Sequence, residues 1–319
     1  MLDIFYLNDG VKKGKLKDLP KLKQFPTWID CTAITKEEAN VLSEVYELHP
    51  LTTEDILQSN TRVKIEDFPN YLLCVFYGIE KDGETRLIEF DFVLGAHFVL
   101  SNHEKPVATF EELKNNDQKI SKLLAKGGDF FFHSLLDNEV DNFFRVLESI
   151  DEEIAPIEEE VMTNPRPELL RRILQLKRSL GRVKKITVPQ REKIGTLAKE
   201  EHRFISKKAI PYFRDVYDHA VRVADSLDNS REATVNTFDV YMSAMSNRTN
   251  EVMKLLSMIA TIALPLTVIS GIYGTNFDHL PGSKEWQGFW IMMTLMLTIS
   301  VCMLYFFYKR RWIFEHRRW

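Results

Sequence analysis

Apolar residues are spread along most of this chain and then crowd together near its end. From Leu255 to Phe277, and again from Trp286 to Tyr308, there is no Asp, Glu, Lys or Arg. As a helix at about 1.5 Å per residue, each window spans roughly 34 Å, against a hydrocarbon core of about 30 Å. A buried hairpin in a water-soluble core is the alternative. Core helices usually keep a polar stripe, however, and IMMTLMLTISVCMLYFFY keeps none. Two membrane-spanning helices are predicted.

Upstream, the periodicity changes character. Residues 1–128 read as a cytoplasmic α/β domain. YLLCVFYGIE, TRLIEFDFVL and HFVLSN are short and rich in β-branched and aromatic residues, as strands are, with KDGE as a hairpin turn. TKEEANVLSEVYEL opens on Thr35 with Glu38 three residues on, the capping box of an amphipathic helix. PVATFEELKNNDQKISKLLAK returns to helical spacing, and Gly127-Gly128 marks the boundary. Residues 129–250 read as a long-helix stalk. One helix runs from DFFFH through Pro156, TNPRPE turns the chain, and LLRRILQLKRSLGRVKK begins the return. A third helix starts near Tyr212 and meets no stop signal before Gly271. The first span then occupies 251–277, an external loop 278–285, the second span 286–308 and a basic tail 309–319.

A net charge of −4 and a mean hydropathy of −0.21 would suit an ordinary soluble protein; the averages conceal the two windows. They also offer no basic footprint for nucleic acid. MLDIFYLNDGVKKGK lacks the basic-then-apolar order of a secretory signal. KRRWIFEHRRW is rich in Lys and Arg and FDHLPGSKE is not, so both termini are expected in the cytoplasm. Cys31, Cys74 and Cys302 make no disulfide or zinc pattern. No phosphate-binding glycine loop, nucleophile elbow or paired catalytic set is visible, so no enzyme is expected. Charge is segregated in the long helices: seven acids and no base from Glu148 to Glu160, seven bases and no acid from Arg171 to Lys185. Two antiparallel helices laced by surface ion pairs account for this; an acidic field that gathers cations is the sharper alternative.

One face of the third helix stands out when read in alternating steps of three and four. It carries Asp239, Ser243, Ser246, Asn250, Met253, Ser257, Ala260, Leu264, Thr267, Gly271 and Gly274. A spacing near 3.5 marks a side packed against parallel copies of itself. Ordinarily that side is apolar, whereas here only Met253 and Leu264 are bulky. Small residues that let membrane helices approach closely would explain Ala260, Gly271 and Ser257. That account does not reach Asp239 and Asn250, which continue the same line. A water-filled axis inside a ring of parallel helices explains all eleven. Both readings stand on pattern alone.

The stretch NRTNEVMKLLSMIATIALPLTVISGIYGTNF, residues 247–277, resembles the signature of the CorA family of magnesium and cobalt transporters. PYFRDVYDH, the two spans, the basic tail and the α/β domain ahead of long helices extend that resemblance over the whole chain. It implies a funnel-shaped homopentamer in the inner cell membrane, its first span lining the pore, with no other protein partner. The family's outer Gly-Met-Asn falls on Gly274, Thr275 and Asn276, whose asparagine ring receives a hydrated cation. Mg²⁺ gives up its waters reluctantly, so neutral amide oxygens can hold it through its hydration shell. Thr267 and Gly271 match polar pore positions, while Leu264, Leu256 and Met253 match the hydrophobic gate. Asn250 and Asp239 match rings further down; Leu256 stands one residue off the face described above. The family's gating implies that cytoplasmic Mg²⁺ bridges acids of neighbouring subunits. Asp215 matches the long-helix member of that site and Asp82, in the hairpin turn, is its expected partner, an ordinary surface ion pair being the alternative for Asp215.

Two departures bear on selectivity. Thr275 stands where the family has methionine, and Gly282 where its external loop usually has an acid. Relatives resembling the ZntB zinc transporters also lack that methionine. The resemblance thus implies Mg²⁺ as both cargo and regulator, with Co²⁺ or Ni²⁺ tolerated. A Zn²⁺ transporter, with or without proton coupling, is the near rival, and a non-conducting membrane-anchored sensor or structural protein is the third reading.

Overall fold

A computed structural model describes residues 1–58, 61–275, 281 and 286–312. The chain forms two compact units, Met1–Ile157 with Arg171–Asn236, and Glu158–Leu170 with Thr237–Trp319. The elements run β1 (Leu2–Leu7), β2 (Val11–Gly14), α1 (Leu19–Leu22), β3 (Thr27–Thr32), α2 (Lys36–Tyr46), α3 (Pro50–Leu57) and β4 (Lys64–Asp67). Next come β5 (Tyr71–Asp82), β6 (Glu84–Gly95), β7 (Phe98–His103), α4 (Ala108–Lys114) and α5 (Asp117–Lys126). Three long helices follow, α6 (Gly128–Thr163), α7 (Pro167–Lys199) and α8 (Ile210–Tyr273), and then α9 (Trp286–Lys309). Pro156, Pro189 and Pro265 lie inside α6, α7 and α8. Each removes one backbone donor without ending its helix.

The first unit is built on a seven-stranded sheet in the order β2-β1-β3-β7-β6-β5-β4. All neighbours are antiparallel except β3 and β7. The three strands expected from their β-branched runs are β5, β6 and β7. KDGE closes the β5–β6 hairpin, with Asp82 opposite Glu84 and Gly83 at φ 69°. The capping box is reciprocal: Glu38 N donates to Thr35 Oγ1 and Thr35 N to Glu38 Oε2. Helical spacing after Pro106 resolves into two helices, because Asn116 accepts from Lys119 N and caps α5.

Both faces of the sheet are covered, which is why β5 is buried from Tyr71 to Ile79. On one face Ile29, Leu73, Val75 and Val93 meet Leu42, Tyr46 and Ile56 of α2 and α3. On the other, Trp28 lies 5.0 Å from Phe131 and Phe92 lies 5.2 Å from Phe132, ring centroid to centroid, so α6 seals that side. Gln190 of α7 then treats β5 as a partner strand. Its Oε1 accepts from Tyr77 N at 2.8 Å and its Nε2 donates to Tyr77 O at 3.0 Å. The segregated charges meet in part. Arg172 reaches Glu153 at 3.5 Å and Arg166 pairs with Glu160, whereas Lys184 turns to Asp228 at 2.6 Å.

The second unit is of another kind. Among its described residues, Val161, Leu169, Tyr241 and Phe307 are the buried apolar side chains. The spans themselves carry long rows of exposed Leu, Ile, Val, Met and aromatic residues, and their most apolar windows are 0 % buried. A surface of that size needs lipid or further copies of the chain against it.

Candidate ion path and acidic cluster

Within the second unit, partial cover on the first span falls on Lys254, Met258, Ile262, Pro265, Leu266 and Ile269. On α9, Gly288 and Phe307 are buried and Met292, Met296, Ile299, Ser300 and Met303 are partly covered. Apart from the neighbouring pairs Pro265/Leu266 and Ile299/Ser300, both series step by three or four, so each helix covers one stripe of the other. None of the eleven polar-face positions belongs to that stripe. Asp239, Ser243, Ser246, Asn250, Met253, Ser257, Ala260, Leu264, Thr267, Gly271 and Gly274 are all exposed, as is Leu256. The face is therefore not packed against its own second span.

Its hydroxyls are oriented from within. Thr267 Oγ1 donates to the Ala263 carbonyl at 2.9 Å, Ser243 Oγ to the Asp239 carbonyl at 2.9 Å, and Thr275 Oγ1 to the Ile272 carbonyl at 2.7 Å. With the proton turned to the helix, each oxygen keeps lone pairs that can accept from water. Leu264 is 70 % exposed and Met253 55 %, so the face presents apolar side chains between its polar positions. At Gly271 an added Cβ would meet nothing within 4 Å. After Tyr273 the helix ends; Gly274 N still reaches the Ser270 carbonyl at 2.9 Å. Asn276, and Gly282 beyond it, lie outside the described residues.

In the first unit, Asp215 sits 4.0 Å from His219, one turn on in α8. His219 Nδ1 faces α6, 2.9 Å from Asp141 and 3.6 Å from Asp137. Neither His219 Nδ1 nor Asp137 Oδ1 has a hydrogen-bond partner, although both atoms are buried. The ligand atoms of Asp137, Asp141 and His219 lie within 4.8 Å of one another, so two carboxylates and an imidazole converge on one point. Burial lifts the Asp137 carboxyl above its ordinary value; His133 opposes that shift and Asp141 adds to it. Burial likewise pulls the His133 imidazole down, against Asp137. A cation would relieve all of this. Asp137, Asp141 and His219 were missed in the sequence, although Asp137/Asp141 and Asp215/His219 are each one helical turn apart. Asp82 lies at its hairpin tip, and among the described residues no hydrogen bond or ion pair joins it to Asp215, whose ion-pair neighbour is His219.

A third polar group, Ser101, His103 and Asp30, has the composition of a hydrolytic triad and the wrong wiring. Ser101 Oγ donates to Asp30 at 2.5 Å rather than to His103, and accepts from Trp28 Nε1 at 3.0 Å. Lys114 pairs with the same Asp30 at 2.8 Å. Burial would raise the Asp30 carboxyl, but His103 and Lys114 hold it below its usual value. All are buried, so the group ties β3 to β7 and α4 and offers no nucleophile.

Residues 23–311 match the family described as CorA-like Mg²⁺ transporter protein. The chain belongs to the CorA family. It is 38 % identical over 293 residues to the cobalt/magnesium transport protein CorA of Thermotoga maritima, covering 90 % of this chain and 84 % of that one. The complete structure of the CorA magnesium transporter from Methanocaldococcus jannaschii shares its fold, with a TM-score of 0.85 at 22 % identity over 98 % of this chain and 99 % of that one. A more distant relative is the zinc transport protein ZntB of Yersinia pseudotuberculosis, 20 % identical over 291 residues, 90 % of this chain and 88 % of that one. CorA proteins are membrane transporters and not enzymes.

Proposed function

We propose that the chain assembles as a homopentamer in the inner cell membrane and conducts hydrated divalent cations, with Mg²⁺ as its main cargo and Co²⁺ or Ni²⁺ tolerated. The observation that carries this reading is the polar face of α8, exposed along its whole length and turned away from α9. Copies of α8 set around an axis turn that face into rings. Gly274, Thr275 and Asn276 form the outer mouth, Thr267 and Gly271 the polar path, Leu264, Leu256 and Met253 the gate, and Asn250 and Asp239 the inner rings. Residues 1–128 and 129–250 stand in the cytoplasm with both termini, 251–277 and 286–308 span the membrane, 278–285 connect them outside, and 309–319 form the inner tail.

Asp215, with Asp82 of a neighbouring copy, senses cytoplasmic Mg²⁺ and holds the pore shut while the ion is bound. The convergent Asp137, Asp141 and His219 place a second donor set one turn from Asp215. An imidazole in that set suits Co²⁺, Ni²⁺ or Zn²⁺ better than Mg²⁺, which prefers oxygen ligands. Together with Thr275, this favours Zn²⁺ as a second cargo reading.

Uptake into proteoliposomes tests both readings. Mg²⁺ flux abolished by Asn276→Ala and altered by Thr275→Met supports the first. Zn²⁺ flux that follows a pH gradient, with no Mg²⁺ flux, supports the second, and no divalent flux under either gradient overturns both. Internal Mg²⁺ should inhibit the wild type and inhibit Asp215→Ala less; equal inhibition removes Asp215 from the sensor.

A further inference from the structure

The groove between the two spans takes no part in the ion path. It is an open groove of about 540 Å³, lined by Thr261 of α8 and by Thr298, Ile299, Cys302, Met303, Phe306 and Phe307 of α9, a size usual for small-molecule sites. Both of its hydroxyls are turned inward. Thr261 Oγ1 donates to the Ser257 carbonyl at 2.7 Å, and Thr298 Oγ1 to the Thr294 carbonyl at 2.7 Å. Methyl, methylene, thiol and aromatic surfaces dominate, with the weak Cys302 S–H as the remaining side-chain donor to replace the water around a polar guest. Such a lining suits hydrocarbon.

One end of the groove is cationic. Phe307 stacks on Trp312 with centroids 5.6 Å apart, the Lys254 ammonium lies 5.6 Å from the Trp312 ring, and the Arg310 guanidinium lies 5.7 Å from Phe306. Lys309 and Arg311 flank Arg310; Glu251 is one turn before Lys254. Aromatic rings and cations at one level mark the boundary between hydrocarbon and headgroups, and a cationic cluster there attracts anionic lipid.

We propose that this groove holds one acyl chain of an anionic phospholipid, whose phosphate rests between Lys254 and Arg310. The hydrocarbon slot fixes the chain and the cations choose the headgroup. The pore helix and the outer helix are then joined by lipid where their side chains leave a gap.

Native mass spectrometry of the full-length protein, offered phosphatidylglycerol or phosphatidylcholine in detergent, tests this. The wild type should retain phosphatidylglycerol at least about tenfold better. Lys254→Gln combined with Arg310→Gln should abolish that preference. Cys302→Trp fills the slot and leaves every charge, and should lower retention of both lipids; Cys302→Phe, a smaller intrusion, should act in the same direction if the tryptophan variant fails to assemble. Equal retention of both lipids by the wild type overturns the proposal. So does phosphatidylglycerol retention unmoved by the Cys302 variants, since charge alone would then hold the headgroup. Lipid bound to dissociated chains but not to the oligomer would mean that a second copy covers the groove, and overturns it too.

Discussion

The two units solve the problem of apolar surface in opposite ways. In the first, a sheet covered on both faces hides Trp28, Phe76, Phe90, Phe92 and Phe132 almost completely. In the second, Leu255, Ile259, Leu264 and most of α9 stay exposed. The first unit therefore completes its own core from one chain, while the second reaches a low free energy only in a surrounding that is itself apolar. Side-chain packing decides stability in one and solvent decides it in the other.

The largest expected effect tests that division. Trp28 is fully buried, stacks on Phe5 at 5.2 Å and donates its indole N–H to Ser101. Trp28→Ala should cost about 3–5 kcal/mol, seen as a lowered unfolding midpoint of the first unit. Ile259→Ala truncates a side chain that is 57 % exposed. Lipid tails are as apolar as the side chain they would replace, so the cost should stay below about 0.5 kcal/mol. Comparable losses would mean that α8 packs tightly at Ile259 in the assembly.

Next comes Gln190→Leu. It removes both partners of the Tyr77 peptide group, which is buried in β5. An unmade buried donor and acceptor together should cost about 2–4 kcal/mol. Hydrogen exchange at the Tyr77 amide should quicken by more than at Phe92, where β6 keeps its strand partners. Unchanged protection at Tyr77 would show that water replaces the glutamine.

What could be read without coordinates follows the same line. β5, β6 and β7 were legible because burial on both faces favours runs of β-branched and aromatic residues, whereas β2 as VKKG and β4 as KIED sit at sheet edges and carry no such run. Thr35 and Glu38 were legible because a cap is local. Gln190 was not, since one polar residue within an amphipathic helix says nothing about which strand it meets. The polar face of α8 was visible because a repeat near 3.5 persists along the helix. The Asp137, Asp141 and His219 group was not, because two ordinary one-turn spacings become a site only when α6 and α8 come together.

Acidity gives a smaller effect, again confined to the first unit. Burial pushes the Asp91 carboxyl up to about 8 and the Glu139 carboxyl up to about 7. Both hold protons when folded that an unfolded chain releases near pH 4. Between these values the folded state binds more protons, so stability falls as pH rises from about 4 towards 8 and then levels. Each group contributes a slope of at most about 1.4 kcal/mol per pH unit. Asp91→Asn keeps an oxygen to accept from Asn102 and removes one titration. Its urea midpoint should therefore decline less steeply between pH 5 and 7.5 than that of the wild type. Identical slopes would mean that Asp91 is ionised in the fold.

The smallest effect concerns the segregated charges of α6 and α7, where the comparison between packing and solvent recurs in miniature. Arg172 and Glu153 are partly exposed, 3.5 Å apart, and Lys81 also reaches Glu153 at 3.3 Å. Water screens such pairs, and holding two long side chains in one geometry costs entropy that nearly cancels the attraction. Lys81 can also take over when Arg172 is lost. The coupling in a double-mutant cycle of Arg172→Ala and Glu153→Ala should be below about 0.5 kcal/mol. A coupling of about 2 kcal/mol or more would show that these charges act as a network. The acidic run would then belong with the sensing apparatus rather than with the solvated surface of a helical hairpin.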